Sequence, residues 1–230
     1  MTHLIIPDIH EEHSRIRRIM LYNKADRYVF LGDWFDSFTR SEITTLETCH
    51  LLNEIGRRDD VVLVFGNHDI HYRWPRVPGI HSSGYWPTSQ QIIDRYVDPS
   101  VWDKFRFFTG IGKWLQGGWL VSHAGFAETL LDEDWPQQIE QEVLDALESG
   151  RKHRWLQAGM ARGGNGIGGP VWLDWNYEFE PIGGINQVVG HTPDRAVRAH
   201  CIVGSKNYCI DTNLRMGMRI TDGKEEIVRL

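Results

Sequence analysis

The run Val61-Val62-Leu63-Val64-Phe65 passes without a break into Gly66-Asn67-His68-Asp69. Successive β-branched and large apolar residues read as a strand buried on both faces. The next four positions bring a glycine and three side chains carrying oxygen and nitrogen donors. Open parallel sheets bind ligands beyond the carboxyl ends of their strands, so a site is expected at this junction. Two earlier runs repeat the design. Leu4-Ile5-Ile6 ends on Pro7-Asp8-Ile9-His10, and Tyr28-Val29-Phe30-Leu31 ends on Gly32-Asp33 with Asp36 close behind. Between the runs, residues about 12–22 place Ile16, Ile19 and Met20 on one helical face; residues about 41–57 do so with Ile43, Leu46, Leu51 and Ile55. The order βαβαβ predicts an α/β fold with a parallel sheet and helices on its faces.

Downstream the pattern loosens. From about 70 to 110, Pro75, Pro78, Gly79, Gly84 and Pro87 interrupt any period, while Trp74, Tyr85 and Trp86 interleave with Arg73 and Arg76. This reads as a loop-rich insert over one end of the sheet, with a short helix near 88–97. Strands are expected at 112–116, 119–122, 187–189, 207–210 and 215–221, a helix at 136–148, and a glycine-rich segment spans 159–170. No linker divides the chain, so a single domain over 1–230 is expected.

Composition narrows the class. Hydrophobic residues make up 41% and charged residues 24% of 230, an ordinary globular balance. A net charge of −6 without basic runs argues against general nucleic-acid binding. The three cysteines, Cys49, Cys201 and Cys209, have no C-x-x-C spacing, against both a disulfide framework and a thiolate zinc site. No apolar run reaches the length of a membrane span, and the opening run is too short for a signal peptide. A cytoplasmic location follows as an expectation.

Two further strand ends carry imidazole: His123 after Trp119-Leu120-Val121, and His191 after Val188-Val189-Gly190. Singly, each piece has a structural explanation. Asp8 and Asp33 suit turns, and a lone histidine is most often structural. Jointly, five strand ends point carboxylate, imidazole and amide oxygen at one region. Without thiolate, that set suits manganese, iron, zinc or magnesium. One carboxylate between two ions can bridge them, at the separation of about 3.5–4 Å found in two-metal hydrolases, with a bridging water acidified to hydroxide. Two dications, Asp8, Asp33 and hydroxide sum to roughly +1, which attracts a phosphate ester.

The ordered set Asp8-x-His10, Gly32-Asp33-x-x-Asp36, Gly66-Asn67-His68-Asp69, His123-Ala124-Gly125 and Gly190-His191 resembles the calcineurin-like metallophosphoesterase superfamily. The branch of serine/threonine protein phosphatases and bacterial diadenosine tetraphosphatases is nearest. The resemblance implies a four-layer αββα sandwich with two central mixed β-sheets. It also implies two divalent ions, manganese first among the alternatives. Asp8, His10 and bridging Asp33 would bind one ion; Asp33, Asn67, His123 and His191 would bind the other. His68 would assist the leaving group, oriented by Asp36.

Departures from the pattern sharpen the expectations. Pro7 precedes the first aspartate, and Glu11 follows His10, which is unfavourable near an anion unless its carboxylate points away. Ser37 stands where that branch often has a phosphate-clamping arginine, so Arg73 or Arg162 is expected to serve, with Arg76 behind them. Pro193 replaces a second histidine of the last motif; His200 rivals His191 as last ligand, and His191 is preferred for its Gly-His context. Trp74, Tyr85 and Trp86 could wall an aromatic leaving group or simply pack the core. The expected function is hydrolysis of a phosphomonoester or nucleotide polyphosphate, on a phosphorylated small molecule, nucleotide or phosphoprotein. The rivals are a phosphodiesterase or nuclease on small diesters and a non-catalytic interaction scaffold.

Overall fold

In the computed structural model, residues 1–37, 39, 41–130 and 137–230 are described. The opening follows the apolar pattern: β1 (Thr2–Ile6), α1 (His13–Tyr22), β2 (Arg27–Phe30), α2 (Glu42–Gly56) and β3 (Val61–Val64). Then come α3 (Asn67–Arg73), α4 (Pro87–Tyr96), α5 (Pro99–Trp102), β4 (Phe105–Arg106), β5 (Phe108–Ile111) and β6 (Trp119–Ser122). The chain closes with α6 (Gln137–Glu148), β7 (Asn186–Val189), β8 (Arg198–Ala199), β9 (Asn207–Cys209), β10 (Met216–Thr221) and β11 (Lys224–Arg229).

Two mixed sheets result, as the resemblance implies. The first runs β11-β10-β1-β2-β3-β4 and the second β5-β6-β7-β9-β8. β1 through β4 are parallel, and β10 joins β1 antiparallel. In the second sheet β6, β7 and β9 are parallel, edged by antiparallel β5 and β8. Alternation along each strand divides the core. Ile5, Val29, Leu31 and Val64 pack with Trp119, Val121, Val188 and Ile210 between the sheets. Leu4, Ile6, Tyr28 and Phe30 belong to a larger cluster with Ile16 and Ile19 of α1 and Leu51, Leu52 and Ile55 of α2. Val189 and Cys209 pack with Leu130, Leu173, Trp175 and Phe179, from connecting segments.

Several boundaries differ from the sequence reading. The segment 70–110 is largely built of α4, α5, β4 and β5, with α3 extending into it. The strand expected at 112–116 is a 3-10 turn at Trp114–Gln116, because Gly112 and Gly117 adopt φ of +68° and +90° and end β5 early. β11 completes a hairpin turned by Asp222 and Gly223, at φ of +50° and +83°; two successive positive φ values are the requirement of a type I′ turn. Residue 136 of the expected helix lies outside the described residues. Among those residues, no helix is long and apolar enough to cross a membrane.

Candidate metal centre

The ends of β1, β2, β3, β6 and β7 meet at one place, and the backbone there is unusual. Of the eight non-glycine residues with positive φ among the described residues, five are His10, Glu11, Asp33, Asp36 and His191. Left-handed backbone at ordinary residues costs of order 1–3 kcal/mol each and persists only where surrounding structure enforces it. Asp69 is part of that enforcement. Its fully buried carboxylate accepts the backbone N–H of Asp33 (2.8 Å), Trp34 (2.8 Å) and Gly66 (2.9 Å), tying the loops after β2 and β3 together. Glycine permits the approach: a Cβ on Gly66 would fall 2.1 Å from Asp33 Oδ1, and one on Gly190 would fall 2.2 Å from Asp8 Oδ1.

Two groups of donors share Asp33. Asp33, His123 and His191 bring ligand atoms within 4.8 Å of one another, as do Asp8, His10 and Asp33. Asn67 joins the first group, its Oδ1 lying 3.1 Å from His123 Nε2. The tautomers can be read from backbone carbonyls, which only accept. His123 Nδ1 lies 2.7 Å from Leu31 O and so carries the hydrogen; its Nε2 therefore faces the group with a lone pair. Around that lone pair stand His191 Nδ1 at 3.0 Å and Asp33 Oδ2 at 3.5 Å. At most one hydrogen, on His191 Nδ1, serves three acceptors from Asp33, Asn67 and His123. His191 Nε2 is buried with no partner. His10 Nδ1 likewise donates towards Phe35 O and Asp36 O, each at 3.2 Å, leaving Nε2 to face Asp33 Oδ2 at 3.8 Å.

Electrostatics give the same account. Burial, helped by Asp33, raises the Asp8 pKa despite the nearby histidines, His123 foremost. Burial opposes charge on Asp33 too, but those histidines, again His123 first, hold its carboxyl well below the usual range. Burial and neighbouring His123 keep His191 neutral, with its pKa well below normal. Clustered acceptors, adjacent buried carboxylates and the neutral imidazole of His191 are the environment a divalent cation satisfies. The residues fit the metals that the donor set implies.

The family model for calcineurin-like phosphoesterases matches residues 1–195. The chain belongs to the calcineurin-like phosphoesterase family. It is a metal-dependent phosphoesterase. Its fold is similar to the cold-active protein-tyrosine phosphatase of the psychrophile Shewanella sp., with a TM-score of 0.57 and 14% identity over 99% of this chain and 80% of that one. It is also similar to a protein serine/threonine phosphatase from Saccharomyces cerevisiae that resembles human phosphatase PP5, with a TM-score of 0.55 and 12% identity over 99% of this chain and 79% of that one. At such identities the likeness is one of fold. No curated protein matches the sequence.

Beside the candidate metal donors, the phosphoesterase holds a hydrogen-bonded cluster around Asp36. Its Oδ2 lies 2.7 Å from His68 Nδ1 and 3.0 Å from His71 Nε2, and Oδ1 accepts from Tyr72 Oη. Ser82 donates its backbone N–H to His71 Nδ1 at 3.2 Å. His68 is also fixed through its own N–H, which donates to Asp33 Oδ1 at 2.9 Å. Burial works against charge on His68, but Asp33 and the Asp36 hydrogen bond outweigh it and push its pKa up to about 9. Gly84 presses close: a Cβ there would sit 2.6 Å from His68 Cε1.

A cavity of about 490 Å³ opens over this candidate site, walled by His10, Asp33, Asn67, His68, Arg162 and His191 among others. Arg162 reaches it from the glycine-rich segment, its Nη2 held 3.0 Å from Asp174 Oδ2 and 3.4 Å from Thr192 Oγ1. Trp172 lines it too, edge-on to the His191 ring at 5.8 Å. Arg73 is not brought here. Its guanidinium lies 3.6 Å from both Asp103 and Glu148, over the Trp74 ring, and it lines a separate cavity with Arg76. His200 is exposed and is not among the residues that line this cavity. Trp74 is core, while Tyr85 packs on Tyr72 and His81. Glu11 points away: its buried carboxylate accepts from Ser37 Oγ (2.6 Å), Thr44 Oγ1 (3.1 Å) and Thr45 Oγ1 (2.7 Å). Sequence reading gave no roles to Asp69, His71, Tyr72 or Trp172.

Proposed function

We propose that this phosphoesterase hydrolyses phosphomonoesters or nucleotide polyphosphates, using two divalent ions with manganese the first candidate. Asp8, His10 and Asp33 would hold one ion, and Asp33, Asn67, His123 and His191 the other. The observation that carries the reading is the membership of Asp33 in both donor groups. When bound, the ions supply Lewis acidity, activating a water and drawing charge from the phosphoryl oxygens.

The protein's own groups do the rest. Arg162, fixed by Asp174 and Thr192, offers a planar fork to phosphate oxygens in place of the arginine that Ser37 displaces. His68 holds a proton on Nδ1 against Asp36, so a second proton on Nε2 can pass to a departing alkoxide. Asp36, itself pinned by His71 and Tyr72, keeps that imidazolium oriented.

The test combines metal counting with a panel of mono-, di- and polyphosphate esters assayed with manganese, iron, zinc and magnesium. The expected result is about two equivalents of metal per active chain, with monoesters or polyphosphates preferred. Full activity with a single equivalent, or preference for a diester such as bis-p-nitrophenyl phosphate, would overturn it.

A further inference from the structure

Beside the metal centre, α1 turns Arg15, Arg18 and Tyr22 to one side, at i, i+3 and i+7. With Arg229 and Leu230 at the end of β11, they line a cavity of about 570 Å³. Three arginines are among its lining residues, and no aspartate or glutamate is. In a chain of net charge −6, that is unexpected. Neighbouring Arg17 and Arg58 pair with Glu54 and Asp60. Among the described residues, Arg18 and Arg229 pair with no carboxylate. Arg15 is held in place, donating to Asn213 O at 3.1 Å and Leu214 O at 3.0 Å.

The groove adjoins the site. Arg15 also walls a smaller cavity of about 130 Å³ together with Asp8, His10, Ser37 and Glu12. His10 and Ser37 in turn wall the metal-centre cavity. From Arg15 to Tyr22 the helix rises roughly 10 Å, so the arginines continue outward from the metal donors.

We propose that this arginine groove binds the anionic continuation of the substrate, a run of two or more further phosphates whose reacting end lies at the metal centre. The inference rests on the phosphate-ester reading above. Guanidinium forks match phosphate oxygens bidentately, and the narrow middle cavity suits a chain of small tetrahedral groups better than a peptide with side chains. Glu12 opposes the ligand there.

The experiment compares KM values of the metal-loaded enzyme for p-nitrophenyl phosphate, inorganic tripolyphosphate and adenosine triphosphate. In the Arg18→Glu/Arg229→Glu variant, the KM for both triphosphates relative to p-nitrophenyl phosphate should rise tenfold or more, with Arg18→Gln/Arg229→Gln intermediate and Glu12→Gln shifted the opposite way. Tighter use of adenosine triphosphate than of tripolyphosphate would mark a nucleotide as the source, and the reverse an inorganic one. An unchanged KM ratio overturns the proposal, as does inhibition by hexaglutamate as strong as that by tripolyphosphate. Failure of all three substrates with every metal would sink the phosphate-ester reading instead; calorimetric titration of tripolyphosphate into wild type and the double variant would still decide the groove.

Discussion

The two donor groups around Asp33 are built differently. His123, His191 and Asn67 come from three different junctions in two sheets, and the lone pair of His123 is aimed by a hydrogen bond to Leu31 O. Asp8 and His10 come from a single loop, and both Asp8 oxygens share one backbone donor, the His191 N–H, at 3.0 and 3.1 Å. One group is crosslinked through the whole fold. The other takes Asp8 and His10 from one short loop, held to the loop after β2 through His10 Nδ1 and to His191 through Asp8. With an ion in each group, as proposed, rigidity of the supporting shell, more than the count of nominal ligands, should decide which is held harder.

The largest effect should come from the residue common to both. Asp33→Asn should lower kcat/KM on the order of 10³-fold or more, about 4 kcal/mol, and reduce metal content in the purified protein. Near-normal turnover with full metal would break the symmetry of the reading at its centre. Next, chelator titration of the wild type should remove the ion of the Asp8–His10 group first. His10→Ala should retain about one equivalent, whereas His123→Ala should lose both, with kcat changes of about 10–100-fold or larger. The reverse order of release would show that crosslinking across the sheets does not set affinity.

Leaving-group dependence sharpens the contrast between donors and the cluster beside them. His68→Asn should harm alkyl phosphates about 100-fold more than p-nitrophenyl phosphate, because a general acid matters most for basic leaving groups. Tyr72→Phe should repeat that pattern weakly, at unchanged metal content, since its hydroxyl acts through Asp36. Equal losses across esters would make His68 a positioning or metal-binding group. The smallest effect concerns binding. Arg162→Ala should raise KM about tenfold, roughly 1.4 kcal/mol, with metal content unchanged, whereas Arg73→Ala should leave KM as it was.

The donor set was legible because buried parallel strands read as continuous apolar runs, and the polar residues just past them stand at the sheet's ligand-binding edge. Arg73 lies away from the site for a geometric reason. Nearness in sequence suggested that Arg73 lies near His68, but α3 continues through it. At roughly 100° per residue, five positions carry Arg73 about 140° around the helix from His68. The same helix explains what was missed: His71 and Tyr72, three and four positions on, share the His68 face. Asp69 was hidden more deeply, because its partners are backbone N–H groups, which leave no mark in the sequence.

The space left by Gly190 has a consequence for the history such a chain can record. At Gly66 the Asp33 backbone N as well as its carboxylate crowds a Cβ, at 2.5 Å, so shortening Asp33 would not make room. Gly190 yields its volume to one carboxylate alone, that of Asp8. A side chain can enter position 190 only after that carboxylate has gone. Alanine at 190 should therefore be poorly tolerated here, yet become acceptable when Asp8 is first shortened to glycine. In any descendant sequence of this fold, a filled position 190 would then be the imprint of a candidate ligand given up, readable even where the aspartate itself had since been replaced.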